Sequence, residues 1–158
     1  MKTQIINICF MVLVIMASCS SSKTTPETIS IITRKIESRD FTVQTNYANP
    51  MRMRPVYLTS EYDLRIKNDS AFAFLPYFGV AYIAPYNSLE GGIKFAEPMT
   101  DYSITPNKKS NGWNIRFRVK TKEYIYDLFL SVFNNGSTSF SVNTYQKDII
   151  NFQGEIKK

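Results

Sequence analysis

The densest group of side chains able to do chemistry lies between Leu75 and Phe95, in LPYFGVAYIAPYNSLEGGIKF. Tyr77, Tyr82 and Tyr86 share this stretch with a single acid, Glu90, which is followed by Gly91 and Gly92. A tyrosine ring is apolar with a polar tip. Three of them beside one carboxylate could hold a sugar or an apolar ligand in a concave site. The alternative is a sheet corner with packed aromatics. Gly79 would allow a bulge, Gly91-Gly92 would supply positive φ for a turn, and Pro76 and Pro85 cannot donate to a ladder and so mark strand ends. Both readings stay open on the residues alone.

Two further clusters carry weaker signals. Glu90, Glu97 and Asp101 lie in or near one loop region, and paired acids serve glycoside hydrolysis; solvated loop charges are the plainer reading. Arg116, Arg118 and Lys120 alternate onto one face of a strand, and Arg65 with Lys67 would join them if the strands pair. Such a face could meet lipid phosphate or an acidic polymer. It could equally be a solvated sheet face whose lysines discourage aggregation.

Composition removes most other chemistry. The chain has no histidine and only two cysteines, Cys9 and Cys19. Without histidine there is no Ser–His or Cys–His nucleophile pair and no common zinc site, and the side chain best suited to proton transfer near neutral pH is missing, so any catalysis would rest on carboxylates, Tyr, Lys or hydroxyls. The expectation is a non-catalytic chain with no cofactor and no metal.

The N-terminus reads as a targeting segment. Lys2 is a short positive region, Ile5 to Met16 is an apolar run broken only by Asn7, and Ala17-Ser18 precede Cys19. That is the build of a secretory signal over residues 1–18, and the apolar run falls short of the roughly 20 residues of a membrane-spanning helix. Met16-Ala17-Ser18-Cys19 resembles the lipobox of bacterial lipoproteins, which implies cleavage before Cys19 and its lipidation. Stable attachment takes more than one acyl chain, as a triacylated Cys19 would have. Residues 19–27 then read as lipidated cysteine and polar tether. With Cys9 lost and Cys19 acylated, no disulfide and no free thiol remain. Ser20 after the cysteine, with no acidic run, suggests an outer-membrane anchor facing the periplasm, with cell-surface exposure the alternative. Of 19 basic side chains Lys2 leaves with the signal, so 18 face 13 acidic ones. This mild excess suits solubility and anionic head groups or polysaccharide rather than nucleic acid.

The elements that must position these residues are mostly strands. Thr25-Pro26 is a helix start, and Ile29, Ile32 and Ile36 share a face, predicting one amphipathic helix over about 27–38. After Asp40 the chain reads as β. Phe41, Val43, Thr45 and Tyr47 alternate with polar residues; Tyr62, Leu64 and Ile66 do the same; and Asn68-Asp69 makes a hairpin turn toward Phe72 and Phe74. Trp113, Ile115, Phe117 and Val119 form the cleanest alternation. Residues 123–133 are apolar on both faces apart from Asp127 and Ser131, which predicts a central or covered strand. Asn135-Gly136 is the strongest hairpin turn. The sum is mainly β: one antiparallel domain over 28–158, barrel-like or sandwich, of about eight or nine strands with one short N-terminal helix.

Leu75-Pro76-Tyr77-Phe78-Gly79, Ala81-Tyr82, Ala84-Pro85-Tyr86, Glu90-Gly91-Gly92 with Phe95, and Asp101-Tyr102 together resemble a family of Bacteroidetes lipoproteins, domain-of-unknown-function family 4251. Leu58-Thr59-Ser60-Glu61-Tyr62, Trp113 and Asn135-Gly136 fit the same pattern, and the resemblance runs from Phe41 to Gly154. It implies domain boundaries and an envelope compartment and supplies no catalytic residue. Asp69-Ser70-Ala71 resembles the O-glycosylation acceptor of Bacteroidetes envelope proteins, which would place a glycan on Ser70; a plain hairpin turn is the alternative. The partners implied are the membrane, through lipid on Cys19, and an unknown envelope protein, glycan or lipid. The leading expectation is a binding or scaffolding β domain. The alternatives are an assembly subunit joined by a sheet edge or face and, last, a small carboxylate-based glycan hydrolase.

Overall fold

The computed structural model describes residues 24–82, 91–107 and 111–157. The signal, Cys19, most of the tether, Tyr86 and Glu90 lie outside these residues. One helix, α1 (Pro26–Glu37), is followed by β1 (Asp40–Pro50), β2 (Val56–Lys67), β3 (Ser70–Leu75), β4 (Ile93–Asn107), β5 (Gly112–Lys120), β6 (Ile125–Phe133), β7 (Ser137–Thr144) and β8 (Lys147–Ile156). Each strand pairs antiparallel with the next, and β8 returns to β1 from Val43↔Ile156 to Pro50↔Ile150. The domain is therefore a closed up-and-down barrel rather than a sandwich.

The inward rows predicted from alternation fill the barrel. Val43, Leu64, Ile66, Ile115, Phe117, Leu128, Leu130, Phe140, Ile150 and Phe152 are all buried, and Phe140 stacks on Phe152 with centroids 5.1 Å apart. Eight strands leave an interior just wide enough for side chains. Charged residues such as Arg65, Arg116 and Arg118 face outward, so the sidedness is the reverse of a membrane-spanning barrel, whose outer band is apolar. No helix among the described residues is long and apolar enough to cross a membrane.

Helix α1 closes one end of the barrel. Ile32 and Ile36 are buried there, and Arg39, at φ 51°, turns the chain from helix to β1. The Arg39 guanidinium binds Asp69 at 2.9 Å and lies 4.3 Å over the Tyr102 ring, tying the helix exit to the β2–β3 turn and to β4. Thr25 has extended backbone but its hydroxyl makes no cap bond; its carbonyl accepts the Ile29 N–H instead. Pro26 and Glu27, read as tether, are the first helical residues. Ser70 begins β3 beside the exposed Asp69 at this same end.

Four expectations change. A register shift between Thr45 and Tyr47 turns Tyr47 out to solvent and Ala48 inward. At this bulge a Cβ on Gly154 would lie 2.0 Å from the Gln44 carbonyl oxygen, so the close approach of β8 to β1 requires glycine there. Asp101-Tyr102-Ser103-Ile104 is not a separate strand but the second half of β4, beyond a bulge at which Asp101 adopts φ 55°. Strand β6 is covered on its inner face alone: Ile125 and Phe129 are exposed, and the Arg116 guanidinium lies 4.5 Å over Phe129. Arg65 and Lys67 do not join the basic face of β5, because β3 and β4 intervene in the barrel order.

The two faces of the wall predict opposite outcomes. Phe152→Ala empties the packed interior and costs about 3–5 kcal/mol, whereas Phe129→Ala on the outer face costs less than about 1 kcal/mol. Urea denaturation of both variants checks the difference.

Candidate functional site

The end of the barrel opposite α1 gathers the buried charges found among the described residues. A register shift between Val142 and Thr144 precedes the start of β8, where Lys147 and Asp148, neighbours in sequence, are both buried. Residues 77–82 lie along this start. Asp148 N–H donates to the Val80 carbonyl at 3.1 Å, Tyr82 N–H donates to Gln146 at 2.8 Å, and Ala81 forms a bridge with Lys147.

Asp148 is the centre of a clasp. The Tyr82 hydroxyl donates to its Oδ1, Val80 N–H donates to Oδ2 at 3.4 Å, and Arg52 Nε sits 3.3 Å from Oδ2. The Tyr77 hydroxyl donates toward the Val80 and Asp148 carbonyls at 3.0 and 3.2 Å. Gly79 permits this fold-back, since a Cβ there would stand 2.7 Å from the Tyr77 hydroxyl. The Tyr82 hydrogen bond, with help from Val80 N–H and Arg52, holds the Asp148 carboxyl below its ordinary pKa. The same bond raises the Tyr82 phenol. Burial raises Tyr77.

Lys147 sits differently. Its ammonium lies 4.6 Å over the Tyr124 ring and 5.1 Å over the Tyr77 ring. Burial pushes its pKa below the ordinary value, against the opposing pull of Glu123. Lys147 lines a cleft of about 420 Å³ with Phe95, Tyr124 and Tyr126, and with Lys94, Glu97, Lys122 and Glu123 as its charged residues. Phe95 and Tyr124 flank Tyr126 with centroids 5.3 and 5.6 Å away, forming an aromatic wall.

The structure thus divides the residues singled out in the sequence. Tyr77 and Tyr82 do converge, but on Asp148, where they serve the clasp; Tyr86 and Glu90 lie outside the described residues. Asp101 is tied to Arg118 at 3.5 Å on the outer wall, and Arg118 also binds Asp127 at 2.8 Å. Glu97 reaches the cleft, where its acidic companion is Glu123. Sequence reasoning missed Arg52, Tyr124, Tyr126, Lys147 and Asp148. One signal was available: Asp148 shares the parity of the inward Ile150 and Phe152.

Asp148 predicts a pH dependence. Its folded pKa lies below the unfolded value, so its contribution is present above the ordinary carboxylate range and is lost as pH falls through the folded pKa. Asp148→Asn is destabilising at neutral pH, and the gap from wild type closes on acidification. Chemical denaturation at a series of pH values measures it; a gap that persists in acid would assign the effect to packing instead.

The comparisons with known proteins agree with this architecture. The family model described as "Domain of unknown function (DUF4251)" matches residues 24–156, which run from just before α1 to the last residue of β8. No curated protein matches the chain. The crystal structure of a DUF4251 family protein from Bacteroides eggerthii DSM 20697 is similar in fold, with a TM-score of 0.63 at 13% identity, over 82% of this chain and 86% of that one. From helix cap to closing strand, the chain belongs to the DUF4251 family.

Proposed function

We propose that this domain is a non-catalytic ligand-binding module of the cell envelope, held to the outer membrane by lipid on Cys19 and binding through the cleft at the far end of its barrel. The observation that carries the reading is the aromatic wall of Phe95, Tyr124 and Tyr126 beside the buried Lys147. The barrel interior is filled by side chains, which leaves the ends for binding. Cys19 precedes α1 in the sequence, and the cleft lies at the end of the barrel opposite that helix. The scaffolding alternative keeps both the outer face and the sheet edge, because β3 covers only residues 63–67 of β2 and 93–98 of β4, which leaves residues 56–62 and 100–106 with one strand neighbour each for β-augmentation.

Glu97 and Glu123 line the same cleft, so the glycan-hydrolase reading attaches to them rather than to Asp101, which is tied to Arg118. Incubation with cell-wall glycan is expected to release no new reducing ends.

Native mass spectrometry of the acylated protein purified from its own envelope tests the binding reading. Wild type is expected to carry a small molecule that Tyr124→Ala lacks. An empty cleft together with a stoichiometric crosslinked protein partner would favour scaffolding. Cys19→Ala is expected to lose incorporated palmitate and to leave the membrane fraction.

A further inference from the structure

We propose that the cleft takes a monocarboxylate with a compact apolar body, its carboxylate paired with the Lys147 ammonium. This rests on the binding reading above and adds the ligand's chemistry. Lys147 is 9% exposed, yet among the described residues its ammonium meets two aromatic faces and no hydrogen-bond acceptor or carboxylate within ion-pair distance. An ammonium has three donors, and a buried charge without a hydrogen-bonded partner is costly. Nearby Asp148 does not serve, because Tyr82, Val80 N–H and Arg52 already hold its carboxylate. The missing partner is an anion, and the charge-assisted bonds it would make are among the stronger kinds.

The cleft also limits the anion's charge and size. Among the described lining residues, Lys94, Lys122 and Lys147 against Glu97 and Glu123 leave one net positive charge. That suits a monoanion, whereas a dianionic phosphate would face two carboxylates. A long acyl chain has nowhere to thread, since Leu128, Phe140 and Phe152 occupy the barrel axis. The apolar body must therefore lie on the aromatic wall within about 420 Å³.

Phenylacetate and its neutral counterpart phenylacetamide test this by amide-shift titration of the intact domain. Phenylacetate is expected to bind about tenfold tighter, and Lys147→Gln to abolish the preference. Glu123→Gln, on an exposed loop, is expected to strengthen phenylacetate binding without touching the core. Equal binding of both compounds would overturn the charge pairing and leave the cleft as a neutral site. No binding of either up to about 10 mM would overturn the ligand class, and native mass spectrometry would then judge the cleft separately.

Discussion

The pairing of β8 with β1 is the constraint on which the rest of the molecule depends. Closure gives every described strand two neighbours and one inward face. It commits one row of alternating residues per strand to a common interior, which Phe117, Phe140 and Phe152 then fill. A filled interior cannot also be a ligand chamber. Any recognition surface is left to the wall, where Tyr47, Tyr57, Phe74 and Phe129 stand exposed among charged residues, or to the ends.

The two ends are finished by different chemistry. At the helix end the plug is apolar: Ile32 and Ile36 cover the barrel, and Arg39 braces the helix exit against Asp69 and Tyr102. At the far end the closure is polar, with Asp148 gathering Tyr82, Val80 and Arg52. Beside it, Lys147 is buried under tyrosine rings, and no carboxylate among the described residues pairs with it. An apolar plug stabilises by area and makes few demands on a ligand. A buried cation at the edge of an aromatic cleft stabilises little by itself and discriminates strongly among what could bind.

Legibility in the sequence followed the regularity of the pairing. Trp113 to Lys120 could be read because an undisturbed hairpin keeps parity, and the Asn135-Gly136 turn and the Ile32/Ile36 stripe are local signals. Tyr47 could not be placed, because the bulge after Thr45 reverses parity and leaves no mark in composition. The cleft was illegible for another reason. Phe95, Tyr124 and Lys147 come from β4, the β5–β6 loop and β8, and only the barrel register brings them together. Tyr82 was singled out, but its partner Asp148 lies 66 residues away, so its role in a clasp could not be seen beside it.

Closure also has a history. Seven of the eight strand pairings join sequence neighbours and can form as hairpins while the chain is still being made. The eighth joins Val43 to Ile156 and must wait for the last strand to emerge. Until then β1 carries an unpaired edge, and the aromatic rows destined for the interior stay open to water and to other chains. Before that pairing forms, the folding chain is an open sheet. The ten residues of β8 decide when it stops being one.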